Sequence, residues 1–280
     1  MDVVMSDGEP QSTSTQKTSS IGSSFGMNPV TECTYGSTFW PQISCFVRSA
    51  MQTDMQIERP LHTFSHEELY RSIYWMCWQG FQKRLYADLT SVIEESLNTL
   101  EKQLENIQQM ELWLEKFKQI CVNHARATDI LGSVFAYLDK TYIQYALHEN
   151  LRDILVERFQ HLILEKSEMR AIFVFSMILD SPEAFSLDLV VGTVEALYKI
   201  NPDNIYLNPT LFQNSIKNMT IPCNLDDIRH RHVTLEAKYQ LERLKNEGWE
   251  PGFSQLKRPS AVIEEDDTQV KSSKRQHHSS

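Results

Sequence analysis

Proline is missing from the whole interval between Pro60 and Pro182, and that interval holds only two glycines, Gly80 and Gly132. Strands and hairpins need such punctuation, so a β-rich fold is excluded there. Positive charge is also short: 27 Lys and Arg stand against 37 Asp and Glu, a net charge of −10. The main body therefore offers no field to hold a phosphate backbone, and no nucleic-acid partner is expected. The nine glycines are dispersed, which leaves no phosphate-cradling loop. Cys33, Cys45, Cys77, Cys121 and Cys223 are odd in number and never paired as CxxC. That pattern argues against a disulfide framework or a metal site and for a reducing compartment. The longest apolar run, residues 171–179, is too short to cross a bilayer, and no charged-then-apolar leader opens the chain. No membrane partner is expected, and the location expected is nuclear and/or cytoplasmic.

What is present reads as helix. A hydrophobic content of 41% supplies a sizeable core. From Leu69 the apolar positions step through Ile73, Met76 or Cys77, Phe81, Leu85, Leu89, Val92, Leu97, Leu100 and Leu104, tracking a period of 3.6 residues. Ser65 followed by Glu68 forms a capping-box signal. The spacing predicts helices near 41–53, 66–80, 84–108, 110–146 (with a break near 127–132), 150–166, 168–179, 183–199, 209–218 and 224–246. The fold class is all-α, a helical bundle over 38–247. Residues 1–37 are rich in Ser and Thr and 248–280 in alternating charge, with little to bury, so both are expected to be disordered tails. In the second tail, Lys257, Arg258, Lys271, Lys274 and Arg275 form a loose import signal, and "KRPS" marks Ser260 as a phosphorylation candidate.

A catalytic constellation is not found, and no enzyme, cofactor or metal is expected. Cys121 and His124 share a helix face, which fits a structural pair better than a thiolate nucleophile. His230 and His232 are two apart, point apart on a helix and suit the surface. The sequon at 218–220 would matter only in a secreted chain. Aromatic placement is more informative. Glu67, Tyr70 and Tyr74 share one stripe of their helix, beside the core stripe of Leu69, Ile73 and Met76. In residues 130–143, Leu131, Val134, Phe135, Leu138 and Tyr142 form a core stripe. Tyr137, Lys140, Thr141 and Gln144 form a second, mixed stripe, with Tyr137 and Lys140 expected to be exposed. Taken alone, such stripes fit tyrosines half-buried against neighbouring helices better than they fit a surface for a protein partner.

"FSHEELYRSIYWMCWQGFQKRLYADL" at 64–89 resembles the opening helices of the cullin amino-terminal repeat, with its two Leu-Tyr pairs and a Tyr four residues after the first. "ILGSVFAYLDKTYI" at 130–143 resembles a later helix of that repeat, and "FWPQISCFVRSAM" at 39–51 is similar to the short helix before them. The resemblance is clear over about 39–165 and fainter to 247. It implies a cullin-repeat-like bundle whose second and fifth helices dock a substrate adaptor. Carried over by position, the protein-binding residues would be Glu67, Tyr70, Tyr74, Tyr137 and Lys140.

A full cullin continues to a region that holds a RING protein and a modified lysine. At this length neither is expected, nor is a complete ligase scaffold. Resemblance to a short relative of the cullins implies instead a non-catalytic cell-cycle regulator, with a cyclin-dependent kinase as partner. The alternative is a truncated scaffold whose partner is a cullin-type substrate adaptor. "KRLY" at 83–86 matches a loose cyclin-docking pattern, but Leu85 lies in the core stripe. Ser181 before Pro182 is either a phosphorylation site at a helix start or a plain cap.

Overall fold

The computed structural model describes residues 29–52, 61–217, 219 and 225–247. Among these residues there is helix and turn and no strand. Ten helices are labelled: α1 (Trp40–Met51), α2 (His66–Trp78), α3 (Gln82–Glu105), α4 (Met110–Val134), α5 (Ala136–Leu138), α6 (Leu151–Phe159), α7 (Glu165–Asp180), α8 (Leu187–Ile200), α9 (Pro209–Ser215) and α10 (Leu225–Asn246). The described residues up to Gln240 form one compact unit. Of the second unit, 241–280, only the end of α10 is described, where Arg243 Nε lies 3.0 Å from Glu247.

Helix boundaries follow local chemistry. Ser65 Oγ accepts the Glu68 N–H at 3.3 Å and starts α2. Gly80, at φ 91°, ends it: Phe81 N–H reaches Met76 O at 3.0 Å and Gly80 N–H reaches Cys77 O at 3.1 Å. This double closure needs a left-handed residue, so glycine separates α2 from α3. Asn150 Oδ1 caps α6 by accepting the Asp153 N–H at 2.8 Å, and Asn208 caps α9 in the same way.

Helix α4 is the hub. It packs against α1, α2, α3, α6 and α8, and its inward residues Trp113, Leu114, Phe117, Ile120, Leu131 and Val134 are buried. Lys118 Nζ donates to the Asp188 carbonyl at 2.8 Å, and Lys199 Nζ meets Asp129 Oδ2 at 3.0 Å. Both pairs are 70 residues apart, so α4 and α8 run parallel. Parallel neighbours joined through intervening helices are what stacked helical units produce.

Several expectations shift. The helical chain begins at Glu32, inside the tail assigned to 1–37. Its anchor is Tyr35, which is fully buried, stacks on Phe81 at 5.3 Å, donates to Asp88 Oδ2 at 2.7 Å and lies beneath the Arg84 guanidinium at 4.3 Å. One aromatic with this many partners orders a segment that composition alone assigns to a tail. α4 does not break at 127–132: Ala127, Thr128 and Leu131 are buried against neighbours, and the helix ends at Phe135. His230 is exposed, but His232 is half-buried, with Nδ1 2.9 Å from the Tyr206 carbonyl. α10 rests on Ile228 and Leu235, while Arg231 lies 3.7 Å over the Tyr206 ring. Leu85 is fully buried in α3, so "KRLY" is helix and not an extended ligand. Asn218 and Thr220 of the sequon, Ser260, the basic clusters of the second tail and Cys223 lie outside the described residues.

Candidate protein-docking surface

The surface is built from α2 and the segment directly after α4. α4 closes at Phe135 (φ −93°, ψ 13°), and a single turn, α5, brings the chain onto α2. Phe135 and Leu138 are buried and draw this turn into the core. From Asp139 to Leu147 the backbone widens into π-type turns, closed by His148 in the left-handed region at φ 59°.

That widening explains two departures. A 3.6-residue period carries the core stripe from Leu138 to Tyr142, but a wider turn carries it one residue further. Ile143 is accordingly buried, and Tyr142 is only half-buried, its ring 5.9 Å from Tyr86. Tyr137, expected to be exposed, is half-buried because Tyr74 lies against it. The two ring centroids are 4.6 Å apart at 62°, an edge-to-face pair.

Tyr70 and Tyr74 are each 40% exposed, one helical turn apart. Lys140 is exposed and makes no ion pair among the described residues. Glu67 is exposed and paired with Arg71, the next turn along α2. Tyr74 and Tyr137 are thus in contact: α2, which carries Glu67 and Tyr70 as well, packs on the α5 turn, and the π-turned segment with Lys140 packs on that turn in its own right. Two further exposed aromatics, one on each of the two elements, are not singled out by the sequence pattern. Trp78 is 63% exposed, continues the Tyr70, Tyr74 stripe by another turn and stacks on Trp75 at 5.1 Å. The i, i+4, i+8 spacing holds that signal, but Trp78 reads equally well as the end of an apolar helix. Tyr145 is 81% exposed, in the π-turned segment where a 3.6-residue period does not apply.

An exposed aromatic stripe with few charges favours docking over bond chemistry. Cys121 and His124 do not form a reactive pair. Burial raises the Cys121 thiol and lowers the His124 imidazole to about 4, the directions that disfavour thiolate and imidazolium alike. Among the described residues no group of three or more His, Cys, Asp and Glu could hold a metal ion, and no helix is long and apolar enough to cross a membrane. Ser181 is the half-buried cap at the end of α7, its N–H on Met177 O at 2.8 Å, and Pro182 opens a turn of only three residues.

Residues 45–219, more than half of the chain, match the cullin alpha solenoid domain. The chain belongs to the cullin family. Over 144 residues it is 27% identical to the rat (Rattus norvegicus) protein named "CDK2-associated and cullin domain-containing protein 1". That stretch is 51% of this chain and 40% of the relative. The cullin-domain match contains α2, the π-turned segment and every residue of the aromatic face. α10 lies beyond it.

Proposed function

We propose that this cullin-family chain is a non-catalytic cell-cycle regulator that binds a cyclin-dependent kinase and promotes its activity, and with it G1/S progression and proliferation. The observation that carries a binding role is the exposed aromatic face of α2 beside the Tyr74–Tyr137 pair. The choice of a kinase as partner is supported by the name of the rat relative. The chain acts in the nucleus and/or cytoplasm on this reading. The test is to mix the full-length chain with purified cyclin–kinase pairs and measure co-elution and substrate phosphorylation. Stable association with raised phosphorylation supports the proposal; neither binding nor a change in activity overturns it.

A second reading is favoured by the juxtaposition of α2 with the Tyr137 turn. Here the chain is a truncated cullin-like scaffold that docks a substrate adaptor through Glu67, Tyr70, Tyr74, Tyr137 and Lys140, and so modulates ubiquitin-ligase assembly. Tyr70→Ala combined with Tyr137→Ala separates the two. Loss of adaptor capture with kinase capture retained means two surfaces; absence of adaptor binding by the parent chain removes the scaffold reading.

A further inference from the structure

Asp139 sits between Tyr137 and Lys140 in sequence, yet it is half-buried and its carboxylate serves the chain itself. Oδ1 accepts the backbone N–H of Leu151, twelve residues on, at 2.8 Å. Oδ2 accepts Gln144 Nε2–H, five residues on, at 2.7 Å. The first bond satisfies an N–H of the first turn of α6, which has no partner within its own helix, and sets a negative charge where a helix N-terminus favours one. The second spans one wide turn, the spacing at which π geometry brings side chains together.

We infer that Asp139 is a positioning residue for the docking face: by tying Gln144 and Leu151 it holds the π-turned segment, and with it Lys140, in place beside the α5 turn that carries Tyr137. The inference rests on the docking reading above. Wide turns have poorer hydrogen bonding than α turns and persist where the surroundings hold them. Ile143 in the core, His148 in the left-handed region and the two Asp139 bonds are the restraints present here. Without the carboxylate, relaxation toward α spacing draws Tyr142 toward the core stripe. The backbone from Asp139 onward then rotates relative to Tyr74, carrying Lys140 with it. Asp139 itself makes no contact with the partner.

The test uses the full-length chain with Asp139→Ala, Asp139→Asn and Gln144→Ala. Asparagine keeps an acceptor for Leu151, and a flipped Gln144 amide can accept from its Nδ2, so Asp139→Asn is the rescue variant. Amide hydrogen exchange over 139–151 should quicken about tenfold or more in Asp139→Ala, little in Asp139→Asn, and not at all in α8. Affinity for a purified cullin-type adaptor should fall about tenfold in Asp139→Ala and stay within about threefold of the parent in Asp139→Asn. Unchanged exchange in Asp139→Ala overturns the inference. So does full affinity of a folded Asp139→Ala chain, which would leave the residue a structural role only. A parent chain that binds no adaptor sinks the docking reading itself.

Discussion

His124 offers the clearest quantitative test of the packing. It lies on the face of α4 turned toward α6, fully enclosed, with its ring stacked on Phe159 at 4.4 Å and 24°. Neither ring nitrogen makes a well-formed hydrogen bond, and the Leu155 backbone interacts with the ring only weakly. Burial lowers its pKa to about 4, and the Leu155 backbone opposes this only in part. The unfolded chain titrates this imidazole near ~6.5. Between those values the unfolded state binds a proton that the folded state refuses, so the stability present above ~6.5 is lost as pH falls toward 4. At about 1.4 kcal/mol per pH unit the full loss is of order 3 kcal/mol, and about 2 kcal/mol of it falls between pH 7 and 5. His124→Phe keeps the stack and removes both nitrogens. Urea unfolding of parent and variant at pH 7 and pH 5 isolates the effect, because carboxylates such as Asp129, held low by Lys199 and Arg152, contribute equally to both proteins. The variant should already be the more stable at pH 7, by about 1 kcal/mol or more, because no polar atom is left buried without a partner. Its advantage should widen by about 2 kcal/mol at pH 5. An advantage of the same size at both pH values would refute the reasoning, since it would mean that water or a partner group reaches the ring.

His148→Gly should raise stability by about 1 kcal/mol in urea unfolding, because φ 59° strains any side chain and not glycine. A Cβ at Gly192 would collide with Lys118 Cε, so Gly192→Ala must displace that side chain from the Asp188 carbonyl. The lost bond and the helix gain are each about 1 kcal/mol, so the substitution should be nearly neutral alone and stabilising by about 1 kcal/mol in a Lys118→Ala background. Thiol labelling of the folded chain, mapped by mass spectrometry, should find exposed Cys33 modified well before Cys77, whose thiol burial pushes up to about 12, and before buried Cys121.

The all-α fold is legible in the sequence because it rests on local signals repeated along the chain: the missing proline, the 3.6-residue stripes and the Ser65 cap all act locally and agree. The face around Tyr70 and Tyr74 is legible for the same reason, since α2 is a regular helix and its exposed stripe can be counted. Where a single contact decides, counting fails. Tyr35 orders the start of the helical chain through Asp88, Phe81 and Arg84, three partners about fifty residues away that no local pattern ties to it.

The π-turned segment marks a different limit, and it falls within the candidate docking surface. A period of 3.6 puts Tyr142 in the core and passes over Ile143 and Tyr145, whereas one widened turn buries Ile143 and leaves the two tyrosines toward solvent. One restraint on that turn is the carboxylate of Asp139, which reads in the sequence as half of an adjacent acid and base and acts in the structure as a tie between Gln144 and Leu151. A residue that changes the local period cannot be found by assuming the period. Its trace is instead a mismatch: a tyrosine placed in the core stripe beside an isoleucine that is better suited to it. Where such a pair falls next to an aspartate and precedes an Asn-capped helix, the wider turn becomes the simpler reading of the same residues.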